Sequence, residues 1–238
     1  MVVLDWSEPN VWRSWLSREA APPLADAETA RRVRSRFGAL RAFHGTRPTD
    51  IASYYRHGIE PLSPARWCAL AAECFPSRGD DPALTAMIAR VCDVQFELVR
   101  REGERVHFCC DERLLEQRDG YHLLYGSLSL LAVAIQIDKK LGTDFKAALR
   151  ARGEPVVFVC DVPTTLIEDE VLVRLVADLR AALAHAGEGG ALPTPLGFHF
   201  SLPEALPPAA IVGHNRPRFV VDAVYGHHIF PEAVAGPR

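Results

Sequence analysis

Apolar residues recur along the chain at spacings that sort it into helical and extended stretches. Trp12, Trp15 and Leu16 stand at i, i+3 and i+4, which predicts a first helix with an aromatic stripe turned to a core. A second helix is expected from Asp26 to Gly38, with an aspartate cap and a glycine stop. "LRAF" (40–43) is a short apolar strand, and Pro48-Thr49-Asp50 opens a short helix, "IASYYRHG", closed by Gly58. His44 therefore falls at a strand-to-helix corner. "GIEPLSPARW" reads as extended and proline-punctuated. A long helix then carries Leu84, Ile88, Val91 and Phe96 to Leu98 on its apolar side, to about Arg101.

In the second half, "ERVHFCCDE" (104–112) contains a strand-length apolar core. "GYHLLYGSLSLLAVAIQIDKKLG" (120–142) divides into a short apolar segment, a Gly-Ser corner with Ser127 as N-cap, and a helix ending at Gly142. "EPVVFVCDVP" (154–163) is continuously apolar and β-branched, the pattern of a strand buried on both faces, so it belongs centrally in a sheet. A periodic helix from Glu168 to His185 precedes the Gly/Pro loop "AGEGGALPTP" and then "LGFHFSL" (196–202), a sheet edge or hairpin. "LPPAAIVG" and "PRFVVDAVYG" are two further strand-like pieces, and "HHIFPEAVAGPR" reads as a tail.

Composition narrows the class. The chain has 238 residues, 48% hydrophobic and 24% charged, enough for one substantial core. A net charge of -3 gives no global footprint for nucleic acid. The cluster "RRVRSRFG" (31–38) reads as the solvent face of a helix, although with Arg41 it can attract an acidic partner or a nucleic acid. The start, "MVVLDWSEPN", lacks a basic region followed by an apolar one, and no window reaches ~20 apolar residues, so the expectation is a cytoplasmic protein with no membrane span. Six cysteines form no CxxC pair and are expected as buried free thiols. Adjacent His227 and His228 point to opposite faces of an extended strand, so no metal site is expected.

Polar groups beside glycines mark the strand edges: His44-Gly45-Thr46, Tyr121 with His122, Tyr125-Gly126-Ser127, and His199 to Glu204. A glycine lets a ligand approach the backbone, while the neighbouring side chain supplies a hydrogen bond or a stacking surface. Such corners suit a planar, hydroxyl-rich ligand. Taken alone, His44 reads first as a turn histidine bonded to local backbone, and Tyr125 equally as a half-buried aromatic whose hydroxyl reaches solvent.

"FHGTR", with the helix and proline-rich "GIEPLSP" after it, resembles the first motif of the ADP-ribosyltransferase superfamily, in its histidine-tyrosine-glutamate branch of diphtheria-toxin-like enzymes and poly-ADP-ribose polymerases. "YGSLSLLAVA" looks like that branch's tyrosine motif, "EPVVFVCDVP" like the strand that follows it, and "PEALPPAAIVG" like the segment near its last strands. The likeness covers about residues 40–225 and rests on order and spacing. It implies an α+β fold with a split, mostly antiparallel β core over residues 40–238, a nucleotide in the cleft between sheets, and an N-terminal helical segment, residues 1–39, packed on that core. A doubly wound sheet would need a Gly-rich phosphate loop that is missing.

The resemblance also implies a substrate and roles. NAD would be bound by His44, Gly45, Thr46 and Tyr125, with Tyr121 and His122 competing for the ring-stacking role and Ser127 at the same corner. Arg47, with Arg41, would meet the pyrophosphate. ADP-ribose would pass to a protein or nucleic-acid acceptor. Cleavage of the nicotinamide–ribose bond passes through an oxocarbenium-like state that a nearby carboxylate stabilises. Counting back from "LPPAAI" lands near His199 or Ser201 instead of an acid; Glu204 is the nearest carboxylate, with Asp111, Glu112, Asp161 and Asp222 as alternatives. Glu204 and His199 are therefore the catalytic candidates. A cleft that kept NAD but lost its carboxylate would be a sensor or regulatory module, and a related enzyme acting on an RNA 2'-phosphate would need several basic residues converging there.

Overall fold

The computed structural model describes residues 1–18, 26–74, 82–103, 105–142, 144–186, 195–222 and 226–229. A two-residue strand, β1 (Val3–Leu4), precedes helices α1 (Pro9–Arg18) and α2 (Asp26–Arg36). The aromatic stripe of α1 is buried: Trp12 lies against Trp6, with ring centroids 5.2 Å apart, and Trp15 meets Phe37 edge-on at 5.3 Å. These side chains share one continuous apolar core with the sheet that follows, so the N-terminal segment is packed on it.

Strand β2 (Ala39–Thr46) leads to α3 (Ile51–His57), α4 (Pro64–Cys74) and the long α5 (Pro82–Gly103). Next come β3 (Val106–Cys109), α6 (Glu112–Gln117), α7 (Tyr121–Tyr125), α8 (Leu128–Leu141) and α9 (Phe145–Ala151). The chain continues through β4 (Val156–Pro163), α10 (Asp169–Ala186), β5 (His199–Leu202), β6 (Ile211–Asn215), β7 (Val220–Asp222) and β8 (His227–Ile229).

The fold is α+β. Five strands run in the order β5-β3-β2-β4-β6, all antiparallel, and β1 adds to β2 in parallel. Strands β7 and β8 form a separate pair. The pleat of β4 explains the layering. Val156, Phe158, Cys160 and Val162 enter the core under α1, α2 and α10, whereas Val157 enters a second core built from α4 to α9. With partners on both edges, β4 sits inside the sheet as its apolar run predicts.

Several elements differ from the sequence reading. Strand β2 does not stop at Phe43: it pairs with β4 as far as Thr46↔Val156, because β4 offers a partner over its whole length. His44 is thus inside a strand, not at a corner. "SPARW" begins α4, with Pro64 at the first helical position, where its missing N–H is not needed. The segment before Ser127 is a short helix, too brief to show a period, and α6 and α9 escape periodicity for the same reason. Ser127 caps α8 by accepting from the Leu130 N–H at 3.0 Å, and Gly142 closes it in the left-handed region. Strand β8 takes the first residues of the expected tail, while most of "AGEGGALPTP" and the tail from residue 230 lie outside the described residues. All six cysteines are free thiols, and only Cys68 is not buried. Among the described residues no helix is long and apolar enough to cross a membrane.

Candidate functional site

Strands β2 and β3 pair in ladder register only at Phe43↔Cys109, and β1 takes the same edge of β2 lower down at Val3↔Ala39 and Leu4↔Leu40. Beyond Phe43 the two strands diverge. A cleft of about 700 Å³ opens there, floored by the ends of β2 and β3 and walled by α3, α4, α7 and the start of α8. It lies between sheet and helices rather than between two sheets, and no described residue of β7 or β8 lines it.

His44 spans the opening. Its Nδ1 is 2.9 Å from the His107 carbonyl oxygen, which can only accept, so Nδ1 carries the proton and Nε2 is left as an acceptor. Its ring lies 5.8 Å from that of Phe108. Burial lowers His44 to about 4, keeping it neutral at physiological pH. Gly45 is required by packing rather than by a turn: a Cβ there would come within 3.0 Å of the Leu115 side chain and 3.4 Å of His122 Cβ. His122 stands behind it, its ring 4.3 Å from Tyr121, and burial lowers it to about 3.

The remaining candidates divide by exposure. Thr46, Tyr121, Ser127 and His199 line the same cleft, although they come from distant parts of the chain. Tyr125 also borders it but is only 1% exposed. Its hydroxyl donates to Asp222 Oδ2 at 2.6 Å, and Arg150 reaches that hydroxyl at 3.4 Å. Burial and the Asp222 carboxylate raise its phenol above the ordinary range. Buried in the helical core with the Arg150 guanidinium 5.8 Å over its ring, Tyr125 holds the wall, and Tyr121, half-buried, offers the accessible ring.

Arg47 is also structural in its contacts. It is buried, and three of its five donors go to backbone carbonyls: Nε to Arg152 at 2.7 Å, Nη1 to Leu123 at 3.2 Å, and Nη2 to Arg150. Arg41 lies outside the cleft, bonded to Asp161 at 2.6 Å. Glu204 is an exposed turn residue that does not line the cleft, and neither do Asp111, Glu112, Asp161 or Asp222.

Among the described residues four carboxylates do line it. Asp50 pairs with Arg56 at 2.8 Å, Glu60 with Arg66, and Glu73 with Arg152 at 2.6 Å. Asp119 differs: its Oδ2 is buried and has no hydrogen-bond partner, and the His199 Nε2 stands 3.6 Å from it. Burial raises the Asp119 carboxyl, against a lowering by His199 and Arg118. Sequence reasoning passed over Asp119, although Asp119-Gly120 is a turn signal directly before the Tyr121 segment. His107 was also missed, as one residue within an apolar strand.

One end of the cleft thus combines neutral imidazoles, an accessible phenol and one unsatisfied carboxylate. Such a set can accept hydrogen bonds from hydroxyls or an amide and move a proton. Among the described residues no three His, Cys, Asp or Glu side chains are grouped to hold a metal ion. Comparison with known proteins finds no family model that matches the chain, no similar curated protein and no similar solved structure.

Proposed function

We propose that the protein is an NAD-dependent ADP-ribosyltransferase that moves ADP-ribose to a macromolecular acceptor and releases nicotinamide. One observation carries the reading. His44, Gly45, Thr46, Tyr121, Ser127 and His199, drawn from three separated stretches of sequence, converge on a single cleft of about 700 Å³, within the usual range for a small-molecule site. The free Nε2 of His44 suits a ribose hydroxyl or the nicotinamide amide, and Tyr121 suits the ring. Neutral imidazoles and a carboxylate, in place of free cations, favour positive charge developing on the ribose. Six free thiols fit a reducing, cytoplasmic compartment.

The test is incubation of the purified chain with NAD, alone and with protein and RNA acceptors. Nicotinamide release is followed by chromatography and NAD binding by calorimetry. Neither binding nor release under any of these conditions rejects the reading. A second reading, an NAD- or ADP-ribose-binding regulatory module, is favoured by the position of Glu204 outside the cleft; tight binding without release selects it. An enzyme acting on an RNA 2'-phosphate has less support, because Arg47, Arg66 and Arg152 are already engaged by protein groups.

A further inference from the structure

Asp119 lies in the turn between α6 and α7, and His199 opens β5. The register Cys109↔His199 carries the imidazole to the end of β3, beside that turn. His199 Nε2 stands 3.6 Å from Asp119 Oδ2, longer than a hydrogen bond and within a small side-chain shift of one. Oδ2 is shut off from solvent and unbonded, a costly state for a carboxylate unless something at the site draws it into use. The imidazole is 42% exposed against 16% for the carboxylate, so the histidine faces the cleft and the aspartate stands behind it. No described residue hydrogen-bonds His199 Nδ1.

We propose that His199 and Asp119 form a proton-accepting dyad: His199 takes the proton of an acceptor hydroxyl, Asp119 orients the ring and balances the imidazolium, and the acceptor is therefore a hydroxyl-bearing molecule. The inference rests on the NAD reading above. In the step, the bond between ribose C1' and the nicotinamide nitrogen breaks, and its electron pair goes to that nitrogen. The acceptor oxygen bonds C1', and its proton passes to His199 Nδ1 and then to solvent. NAD and a hydroxyl thus give an O-linked ADP-ribose, nicotinamide and a proton. A carboxylate acceptor has no proton to give up, and a guanidinium is not deprotonated by imidazole.

The groups facing the ring fit the role. Burial holds His199 below its ordinary value, Asp119 pulls it up, and Arg118, His107 and Arg174 push it down. A neutral ring at neutral pH can accept a proton.

The test uses the full chain with NAD, and water or methanol as the hydroxyl probe. The readouts are nicotinamide, ADP-ribose and O-methyl ADP-ribose, with the His199 imidazole followed by NMR titration. Asp119→Asn and His199→Gln are each expected to lower turnover at least ~100-fold while NAD affinity stays within about threefold. The His199 midpoint should fall in Asp119→Asn, and the rise of rate with pH should vanish in His199→Gln. A wild type that turns over NAD while Asp119→Asn keeps its rate and its His199 midpoint overturns the dyad and leaves the NAD reading standing. A wild type that neither binds nor cleaves NAD overturns both. Should Asp119→Asn fail to fold, the exposed His199→Gln decides, and an undiminished rate in it overturns the dyad.

Discussion

Arg47→Met is expected to weaken the fold and leave NAD affinity intact. The substitution removes the guanidinium of Arg47, a residue only 6% exposed, which ties the chain just past β2 to the Leu123 carbonyl of α7 and to the Arg150 and Arg152 carbonyls at the end of α9. A hydrogen bond to a charged group contributes roughly 1.5–3 kcal/mol, so the gross loss over the three is about 5–9 kcal/mol. Two effects reduce it. The Arg150 and Arg152 bonds are part-buried, so those carbonyls can turn to water, whereas the Leu123 bond is buried. Methionine also escapes the desolvation that pulls Arg47 down to about 10. A net loss of ~3 kcal/mol remains, in line with breaking a buried charged contact on one side. For a chain of this length that lowers Tm by about 6–12 °C. Urea unfolding followed by circular dichroism should show a lower midpoint at unchanged slope, with calorimetry giving NAD affinity below the transition. A loss smaller than about 1 kcal/mol would refute the bracing role. Unchanged stability with abolished NAD binding would return Arg47 to the pyrophosphate.

Gly58→Ala should prevent folding or cost several kcal/mol, since φ is 83° and the new Cβ would lie 2.0 Å from the Leu206 carbonyl oxygen. Gly126→Ala, with φ 82°, ψ -35° and nothing nearer than 3.8 Å, carries only the cost of a sparsely populated positive-φ backbone, roughly 1–3 kcal/mol; equal thermal losses would contradict this contrast. Tyr125→Phe should cost about 1–2 kcal/mol, through the lost bond to buried Asp222, and leave NAD affinity unchanged; weaker binding at unchanged stability would make Tyr125 a ligand contact. Stability should also fall on acidification. Burial lowers His44 to about 4 and His122 to about 3, so both contribute fully above the unfolded value near 6.5, and the contribution is lost as pH falls from there through the folded values. The urea midpoint should drop between pH 7 and 4.5, less steeply in His122→Gln; parallel profiles for the two proteins would exclude His122 as a source.

Elements with enough length to repeat their period were legible. The stripe of Trp12, Trp15 and Leu16, the run of β4 and the caps at Ser127 and Gly142 each make a local pattern that the fold keeps. What escaped was decided by partners elsewhere in the chain. Strand β2 extends through Thr46 because β4 is eight residues long, a fact held a hundred residues downstream. Helix α7 has five residues, and its helical form depends on packing between β2 and α8 rather than on propensity.

The candidate site divides along the same line. His44-Gly45-Thr46 could be found because a glycine beside a histidine is visible in sequence, but its meaning changed: Gly45 makes room for Leu115, and the bond of His44 Nδ1 to the His107 carbonyl leaves Nε2 as an acceptor. Tyr125 and Arg47 have the residue types a ligand needs, yet burial turns one into a wall and the other into a brace. No spacing rule reaches Asp119, because its partner His199 arrives through the β3–β5 register and its distinguishing property, an unbonded buried oxygen, exists only once α6, α7 and β5 have met. Counting back from "LPPAAI" follows one strand, whereas the fold brings a carboxylate to the cleft from another loop. Among the described residues the cleft holds four carboxylates, and three of them are already held by arginines. That leaves Asp119 as the carboxylate whose removal most sharply separates an enzyme from a binding module.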